Sequence, residues 1–426
     1  MDTVGGGVLS YDKKKGDLSG LFRDFMVFMR SLIVGIGVLM AFSGCATARR
    51  FALENPYGTL DGAQEGEIFH IPTGIKVTKD QLLDMISGSR IIYIGEAHDN
   101  VSVHHVQLEI IRGLAERFPG QVAVGMEMFR RPYQEAMDRW SRGELNERDF
   151  LKQSGWYGNW GMDYRYYKAI LDYIREGRIH LLALNASKDL VKEVRNHGLD
   201  GLSEGWQDQL PDMDFSDPHH RRLVKAFYKA HPPTSGKSFE TFYQVHVLWD
   251  ETMAETAADY LTTGEGSDKR LVVLAGGNHI QYGFGIPRRV FRRLPVAYTI
   301  VLPTTVSVTE VKKGRLMDVR LPEIPLPPAD FFWMVTYEDL ERVRLGVMFE
   351  ESNGNLKVTK VLKGSLASEA GIQPEDILVS LDGQTLRESS DLLYLLGQKR
   401  PGDMGRLLIQ RGSRSVELTI RFPASR

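Results

Sequence analysis

The sequence predicts an α/β domain with a mostly parallel sheet flanked by helices, followed by a small α+β domain. Between residues 76 and 305, short apolar runs alternate with helical patterns, which is typical of parallel strands joined by helices. Residues 306–335 are rich in proline, as expected of a linker, and residues 336–426 contain short strands around two short helices. A chain of 426 residues is long enough for these two domains and their tails.

The first element of the larger domain is an amphipathic helix, in which Leu82, Leu83 and Ile86 recur at helical spacing. A strand follows it directly. The elements expected in order are strand 90–94, helix 101–117, strand 121–129, helical stretches within 132–176, strand 179–187, a polar helical segment at 188–232, helix 238–263, strand 270–275 and a last strand at 296–303.

The composition excludes several classes of function. Hydrophobic residues make up 42% and charged residues 25%, as in ordinary globular proteins, and the net charge of -2 gives no field that would attract nucleic acid. The chain has one cysteine, Cys45, so it can form neither an internal disulfide nor a site with several cysteine ligands. Any metal or cofactor must be bound by other side chains.

The N-terminal segment has the pattern of a secretory signal, in which a basic start precedes an apolar run too short to span a bilayer comfortably. Residues 41–44 before Cys45 resemble a bacterial lipobox, although Phe42 replaces the usual leucine. The resemblance implies lipidation of Cys45 and anchoring in the bacterial envelope, at the outer membrane facing the periplasm. Residues 1–45 would then contain the signal and residues 46–75 a tether, with Met26 or Met29 as an alternative start of translation. The alternatives are an uncleaved anchor helix or a chance cysteine.

The C-terminal region, residues 336–426, resembles PDZ domains of the bacterial, protease-associated type. Its "SLASEAGIQPEDILVSLDGQTL" core and the helix from Ser389 to Gln398 carry the resemblance. The loop that binds the peptide carboxylate in that family corresponds to Leu345, Gly346, Val347 and Met348. This resemblance implies docking of a peptide or a protein C-terminus as an added strand. The alternative is a small β-barrel without a binding function.

Polar side chains follow three of the strands in the larger domain. Glu96 and His98 come after the first strand, Glu127 lies near the end of the second, and His279 follows the strand at 270–275. The carboxyl ends of parallel strands meet at one edge of a sheet, where ligands bind in open α/β folds. Each residue alone could be a helix cap or a satisfied polar group, but three such strand ends together indicate a site.

Histidine and glutamate at one site are compatible with two kinds of ligand. They bind divalent metals such as zinc, manganese or cobalt, and they also line haem pockets. The sequence contains neither an H-E-x-x-H motif nor a Walker loop, and it has no G-x-S-x-G motif in the strand-to-helix context of a nucleophile elbow, so the common hydrolase and nucleotide-binding mechanisms are unsupported. Spacing alone leaves both ligands open.

The motifs "YIGEAHDNVSVHHVQLEII", "VGMEMF", "WGMDYRYYKAIL", "VLWDETMAE" and "VVLAGGNHI" resemble, in this order, the ChaN-like haem-binding uptake family of the Tiki superfamily. ChaN members are lipoproteins that bind haem between subunits in iron uptake, which implies haem as cofactor and a homodimer. Other Tiki branches are metal-dependent hydrolases with two G-x-x-H motifs. On that pattern His98 and His279 would be metal ligands, with Glu96 and Glu127 as further ligands or, in a hydrolase, as catalytic residues.

Two further features extend this resemblance. The segment 156–167 supplies aromatic candidates for a haem pocket, namely Trp160, Tyr164, Tyr166 and Tyr167, although helical spacing also predicts packing in the core. His246 stands where the family pattern has glutamine, one helical turn before Asp250; this pair could extend the site or lie on a helix surface.

The resulting expectation is a lipid-anchored envelope protein that binds haem, or a metal, and docks a peptide or protein through its PDZ domain. Its role would be iron or haem handling. The alternative function is that of a metal-dependent hydrolase to which the PDZ domain presents substrate.

Overall fold

A computed structural model describes residues 60, 62–230, 238–307, 319–341 and 343–422. The proposed signal, Cys45 and the first part of the tether lie outside the described residues. The described part from residue 60 onward belongs to one compact unit. Among its helices, none combines the length and the apolar character needed to cross a membrane.

The larger domain is built on an eight-stranded sheet with the order β2-β1-β8-β7-β3-β6-β4-β5. The six strands from β8 to β5 in this order are parallel to one another. Strands β1 and β2 form an antiparallel hairpin at one edge, and β1 pairs antiparallel with β8. This confirms the mostly parallel sheet. The strands are β1 (Ile68–His70), β2 (Ile75–Val77), β3 (Ile91–Glu96), β4 (Val122–Arg130), β5 (His180–Asn185), β6 (Arg270–Gly276), β7 (Tyr298–Ser307) and β8 (Phe331–Thr336).

Helices connect these strands, and 3-10 turns lie at Arg131–Tyr133, Tyr164–Tyr166, Gly264–Gly266 and Gln281–Gly283. The helices are α1 (Lys79–Ile86), α2 (Val101–Arg117), α3 (Gln134–Ser141), α4 (Glu147–Gln153), α5 (Trp156–Asn159), α6 (Lys168–Glu176), α7 (Lys188–His197), α8 (Glu204–Gln207), α9 (Pro218–Ala230), α10 (Phe239–Thr262), α11 (Gly277–Ile280) and α12 (Ile286–Arg293). Local signals set several of their boundaries. Thr78 and Gln81 form a capping box at α1, for example, and Ser238 caps α10.

The central strand β3 is apolar because both of its faces pack against a hydrophobic core. Ile92 and Ile94 belong to the core on one face, and Ile91 and Tyr93 to the core on the other. All six residues of β3 are buried. Because helices cover both faces, polar side chains can approach solvent only where the strands end.

Two predicted boundaries differ from the structure. Strand β8 lies within the proline-rich stretch expected to be a linker, because its apolar FFWMVT run pairs with β7 and completes the sheet. Strands β1 and β2 lie at the end of the predicted tether and its junction with α1. Each is three residues long, which is too short for the alternation that marks a strand in a sequence.

The smaller domain is an antiparallel sheet with the order β14-β13-β11-β10-β9, and β12 pairs with β11. Leu356, Leu378 and Leu407 lie in its separate core. Its elements are β9 (Val347–Ser352), β10 (Asn355–Val361), α13 (Leu366–Glu369), β11 (Ile377–Leu381), β12 (Gln384–Thr385), α14 (Ser389–Gly397), β13 (Met404–Arg411) and β14 (Arg414–Arg421).

Candidate functional site

The candidate site lies at the carboxyl ends of three adjacent strands, with β6 between β3 and β4. Glu96 is the last residue of β3 and is level with Gly276, the last residue of β6. Glu127 comes from β4, where the register with β5 shifts between Met126 and Arg130. The sheet therefore places the polar ends of these strands side by side, as the sequence predicted.

Glu96 is a buried carboxylate held by three donors. Its Oε1 lies 2.7 Å from His98 Nδ1 and accepts a 2.6 Å hydrogen bond from the Tyr167 hydroxyl, and its Oε2 accepts a 2.7 Å bond from Gln107 Nε2. Burial alone would raise the pKa of Glu96. The hydrogen bond from His98 and the charges of His104 and His98 outweigh it and lower the pKa to about 2.

His98 is the more accessible member of this pair, with a side chain that is 30% exposed. Burial lowers its pKa, but the hydrogen bond and charge of Glu96, and then the charges of Glu127 and Asp99, raise the pKa to about 9. The Trp160 ring meets the imidazole edge-on, with 4.9 Å between the ring centroids. At neutral pH the pair is therefore an imidazolium and a carboxylate beside an aromatic ring.

Glu127 is fixed by the turn at the end of β6. Its Oε2 accepts a 2.7 Å hydrogen bond from the backbone N–H of Gly276. A Cβ at position 276 would lie 3.1 Å from His98 Cε1 and Nε2 and 3.5 Å from Glu127 Oε2. Glycine at position 276 thus lets the imidazole and the carboxylate approach the backbone closely.

His279 is oriented by Asp250, a residue of helix α10. Asp250 Oδ1 lies 2.6 Å from His279 Nδ1, and His279 Nε2 lies 3.6 Å from Glu127 Oε1. Burial lowers the pKa of His279, whereas the charges of Glu127 and Asp250 raise it, and the net shift is upward. The pKa of Asp250 falls well below its usual value, because His279 and its other imidazole neighbours outweigh the effect of burial.

The four residues expected to bind metal thus form two pairs, Glu96 with His98 and Glu127 with His279. Their ligand atoms do not all lie within 4.8 Å of one another. Two neighbours of these residues have a structural role, since Asn100 caps helix α2 through Ser102 N and Asp99 contacts the Tyr337 hydroxyl. Metal binding by the quartet stays a prediction.

Sequence reasoning missed Gln107 and named Tyr167 only as a haem candidate, although both donate hydrogen bonds to Glu96. Gln107 lies on the buried side of α2, and Tyr167 ends the aromatic segment. Their polar atoms are recognisable only once the helix and the segment are folded onto β3. A polar residue within an otherwise apolar helix face was the one signal available for Gln107.

The four aromatic haem candidates occupy two kinds of position. Tyr164, Tyr166 and Tyr167 are at most 4% exposed and pack in the core of the sheet, where Tyr166 also donates a hydrogen bond to Asp339. Trp160 is half-buried and contacts His98. Of the four, Trp160 is the ring positioned to form a wall of the site.

The predicted peptide groove lies between β9 and α14. Leu345 is buried and Met348 is 55% exposed, while Gly346 adopts a φ of +82° that favours glycine. A 460 Å³ cavity beside this loop is lined by Leu345, Val347, Leu392 and also by residues 157 and 160–165 of the larger domain. The groove therefore opens towards the segment that carries Trp160.

Two family models match the two domains of this chain. Residues 82–290 match the family described as "Haem-binding uptake, Tiki superfamily, ChaN", and residues 343–422 match the PDZ domain family. The solved structure described as "Cofacial heme binding to ChaN of Campylobacter jejuni" aligns with a TM-score of 0.48 and 16% identity, over 65% of this chain and 99% of that chain.

Two curated proteins are similar over parts of their length. Protein RETICULATA-RELATED 5, chloroplastic, of Arabidopsis thaliana is 24% identical over 287 residues, which are 62% of this chain and 36% of that protein. A probable periplasmic serine endoprotease DegP-like of Hahella chejuensis is 31% identical over 95 residues, 20% of each chain. The chain thus spans about a third and a fifth of these relatives. Residues 82–290 belong to the ChaN haem-binding uptake family of the Tiki superfamily, and residues 343–422 form a PDZ domain.

Proposed function

We propose that the ChaN-like domain binds haem next to His98, and that the protein handles haem or iron at the bacterial envelope while its PDZ domain docks a peptide. The observation that carries this proposal is the partly exposed His98 imidazole, whose Nδ1 is held by buried Glu96 and whose ring contacts Trp160. The family to which residues 82–290 belong supports the choice of haem.

His98 and Glu96 are suited to binding the iron of haem. Haem would supply an iron centre, and His98 would be the residue that binds it through a ring nitrogen. Iron-binding histidines commonly hydrogen-bond a carboxylate through the other ring nitrogen, as His98 does with Glu96. Because the pKa of His98 is about 9, the imidazolium must lose a proton before Nε2 can act as a ligand. Affinity should therefore rise with pH up to about 9.

Hemin titration of the full chain, followed by the Soret band, tests the proposal. We expect saturable binding that weakens at least tenfold in His98→Ala, because the imidazole that would bind the iron is removed. Exposed His105, on the outer side of α2, provides the matched control, and His105→Ala should bind hemin as the wild type does. An unchanged Soret titration in His98→Ala, or no band at micromolar hemin, contradicts the proposal.

The cellular location rests on the N-terminal sequence. We propose that Cys45 is lipidated and anchors the chain to the outer membrane, facing the periplasm. Mass spectrometry of the chain from the membrane fraction tests this, since the wild type should begin at a lipid-bearing Cys45 and Cys45→Ala should carry no lipid. A wild type without lipid on Cys45 would exclude a lipid anchor at this position. A homodimer that shares haem is part of the same proposal and should appear as a doubled mass on adding hemin.

One observation favours hydrolysis as a second candidate function. Asp250 holds Nδ1 of His279, so that Nε2 is directed towards Glu127, and this arrangement resembles an oriented acid–base pair. Peptide and ester substrates offered to the purified protein should then be cleaved, and Glu127→Gln should lower the rate by about 100-fold or more. Absence of turnover with bound metal present would exclude this function for those substrates.

A further inference from the structure

A second cluster of potential ligands lies behind His279, between helices α9 and α10. His220 comes from α9, and His246 and Asp250 occupy successive turns of α10. Their exposed fractions are 0%, 5% and 0%. One ligand atom from each lies within 4.8 Å of the others, and in the described part of the chain this is the one such group of three or more histidine, cysteine or acidic residues.

Three atoms in this cluster are buried without a hydrogen-bond partner. They are His220 Nε2, His246 Nε2 and Asp250 Oδ2. Asp250 Oδ2 is 3.0 Å from His220 Nε2 and 3.8 Å from His246 Nε2, but neither contact has hydrogen-bond geometry. Leaving a buried polar atom unsatisfied costs about 1–3 kcal/mol, so three such atoms facing one another need an explanation.

The spacing of these atoms suits a small cation. In a tetrahedral zinc site with bonds of about 2.0–2.1 Å, neighbouring ligand atoms are roughly 3.3 Å apart. The observed 3.0 and 3.8 Å lie on either side of that value. A single ion between these atoms would therefore give each of the three a partner.

The remaining atoms of the three side chains are held by neighbours. Asp250 Oδ1 is bonded to His279, and His220 Nδ1 lies 3.4 Å from the Tyr243 hydroxyl. The His246 ring stacks on His279, with 4.6 Å between centroids and 15° between planes. Such outer contacts fix the orientation of metal ligands.

The charges of the residues around the cluster are also compatible with a cation bound between its three side chains. Asp250 supplies a buried carboxylate that faces both imidazoles. The nearest cation, Arg289, lies 3.3 Å from His220 Nδ1 but is paired with buried Glu251 at 3.1 Å. Glu251 offsets part of the charge of Arg289 and also contacts Arg292 and Arg293.

We propose that His220, His246 and Asp250 bind a divalent transition-metal ion of the zinc class, at a buried site distinct from the Glu96–His98 pair. Two imidazoles and one carboxylate are a common zinc ligand set, with a fourth position open to water. Asp250 connects this ion to His279, because its second oxygen bonds that imidazole. The site does not depend on haem binding.

Metal analysis of the full chain, purified without chelator, tests the proposal. We expect about one zinc-class ion per chain in the wild type and nearly none in His220→Gln and His246→Gln. His105→Gln is the matched control, because it removes an exposed histidine outside the cluster, and it should retain the ion. Loss of metal in His105→Gln with retention in His246→Gln would overturn the assignment.

Thermal unfolding provides a second measurement. It uses only the wild type, so it remains informative even if the variants do not fold. Since an ion that binds only the folded state stabilises it, Tm should fall when a strong chelator removes the metal and recover on adding zinc. Cobalt substitution should give visible d–d bands of a nitrogen- and oxygen-ligated ion. A wild type that contains no metal and shows no change of Tm with zinc overturns the proposal.

Discussion

At the scale of single residues, Glu96 and His98 show how a sheet edge can carry a charged pair. The Glu96 side chain is fully buried and would favour its neutral form, yet three donors and a neighbouring imidazolium keep it ionised. Breaking such a buried pair by removing one partner is strongly destabilising, because the other charge is left uncompensated. The pair therefore links the stability of the fold to pH.

The free energy of unfolding should depend on pH through this pair. His98 has a folded-state pKa of about 9 against an ordinary 6.5, so its contribution is complete below pH 6.5 and is lost as pH rises through 9. Glu96, with a pKa of about 2 against 4.5, contributes above pH 4.5 and loses its contribution as pH falls through 2. The contribution of the pair is therefore largest between pH 4.5 and 6.5.

Urea unfolding of the wild type and of His98→Gln at several pH values measures this effect. The wild type should lose at most about 3 kcal/mol between pH 6.5 and 9, and less after solvent screening of the partly exposed imidazole. His98→Gln should be less stable at pH 6 and nearly flat over that interval. An equal slope in both proteins would assign the dependence to other groups.

At the scale of elements, the sequence predicted which strands build the site but could not identify every partner. Glu96, Glu127 and His279 were recognisable because each follows an apolar run, and the parallel order then brings the strands to one rim. Gln107 and Tyr167 lie on a helix and a segment whose packing on β3 depends on the folded core. The prolines that precede β8 made this segment resemble a linker in the sequence. Only its pairing with β7 shows that it is a strand.

The turn after β6 offers a test of this element. In Gly276→Ala the added methyl group would lie 3.1 Å from the His98 ring, which must move, and crowding of this kind costs about 1–3 kcal/mol. Hemin binding should weaken in parallel. Gly277→Ala is the neighbouring control, because its nearest atom would be 3.9 Å away, and it should leave stability and hemin binding unchanged. Similar behaviour of both variants would show that the close approach at position 276 has no role.

At the scale of the whole molecule, the two domains contact each other through the helix that forms one side of the peptide groove. Arg148 Nη2 on α4 donates to Asp391 Oδ1 on α14 at 2.6 Å, and Lys152 Nζ lies 2.8 Å from Glu388 Oε1. Together with the shared cavity, these ion pairs place the groove next to the segment around Trp160. A peptide in the groove would contact both domains.

Removing these ion pairs should loosen the domain contact without unfolding either domain. Partly exposed pairs are worth about 0.2–1 kcal/mol each, so Arg148→Ala combined with Lys152→Ala should change Tm little. Hydrogen–deuterium exchange should nevertheless increase in α14 and in residues 157–165, because both border the contact. Arg142→Ala removes an exposed ion pair with Glu144 inside the larger domain and is the matched control. Exchange that rises equally in the control, or in neither protein, would show that the ion pairs do not hold the domains together.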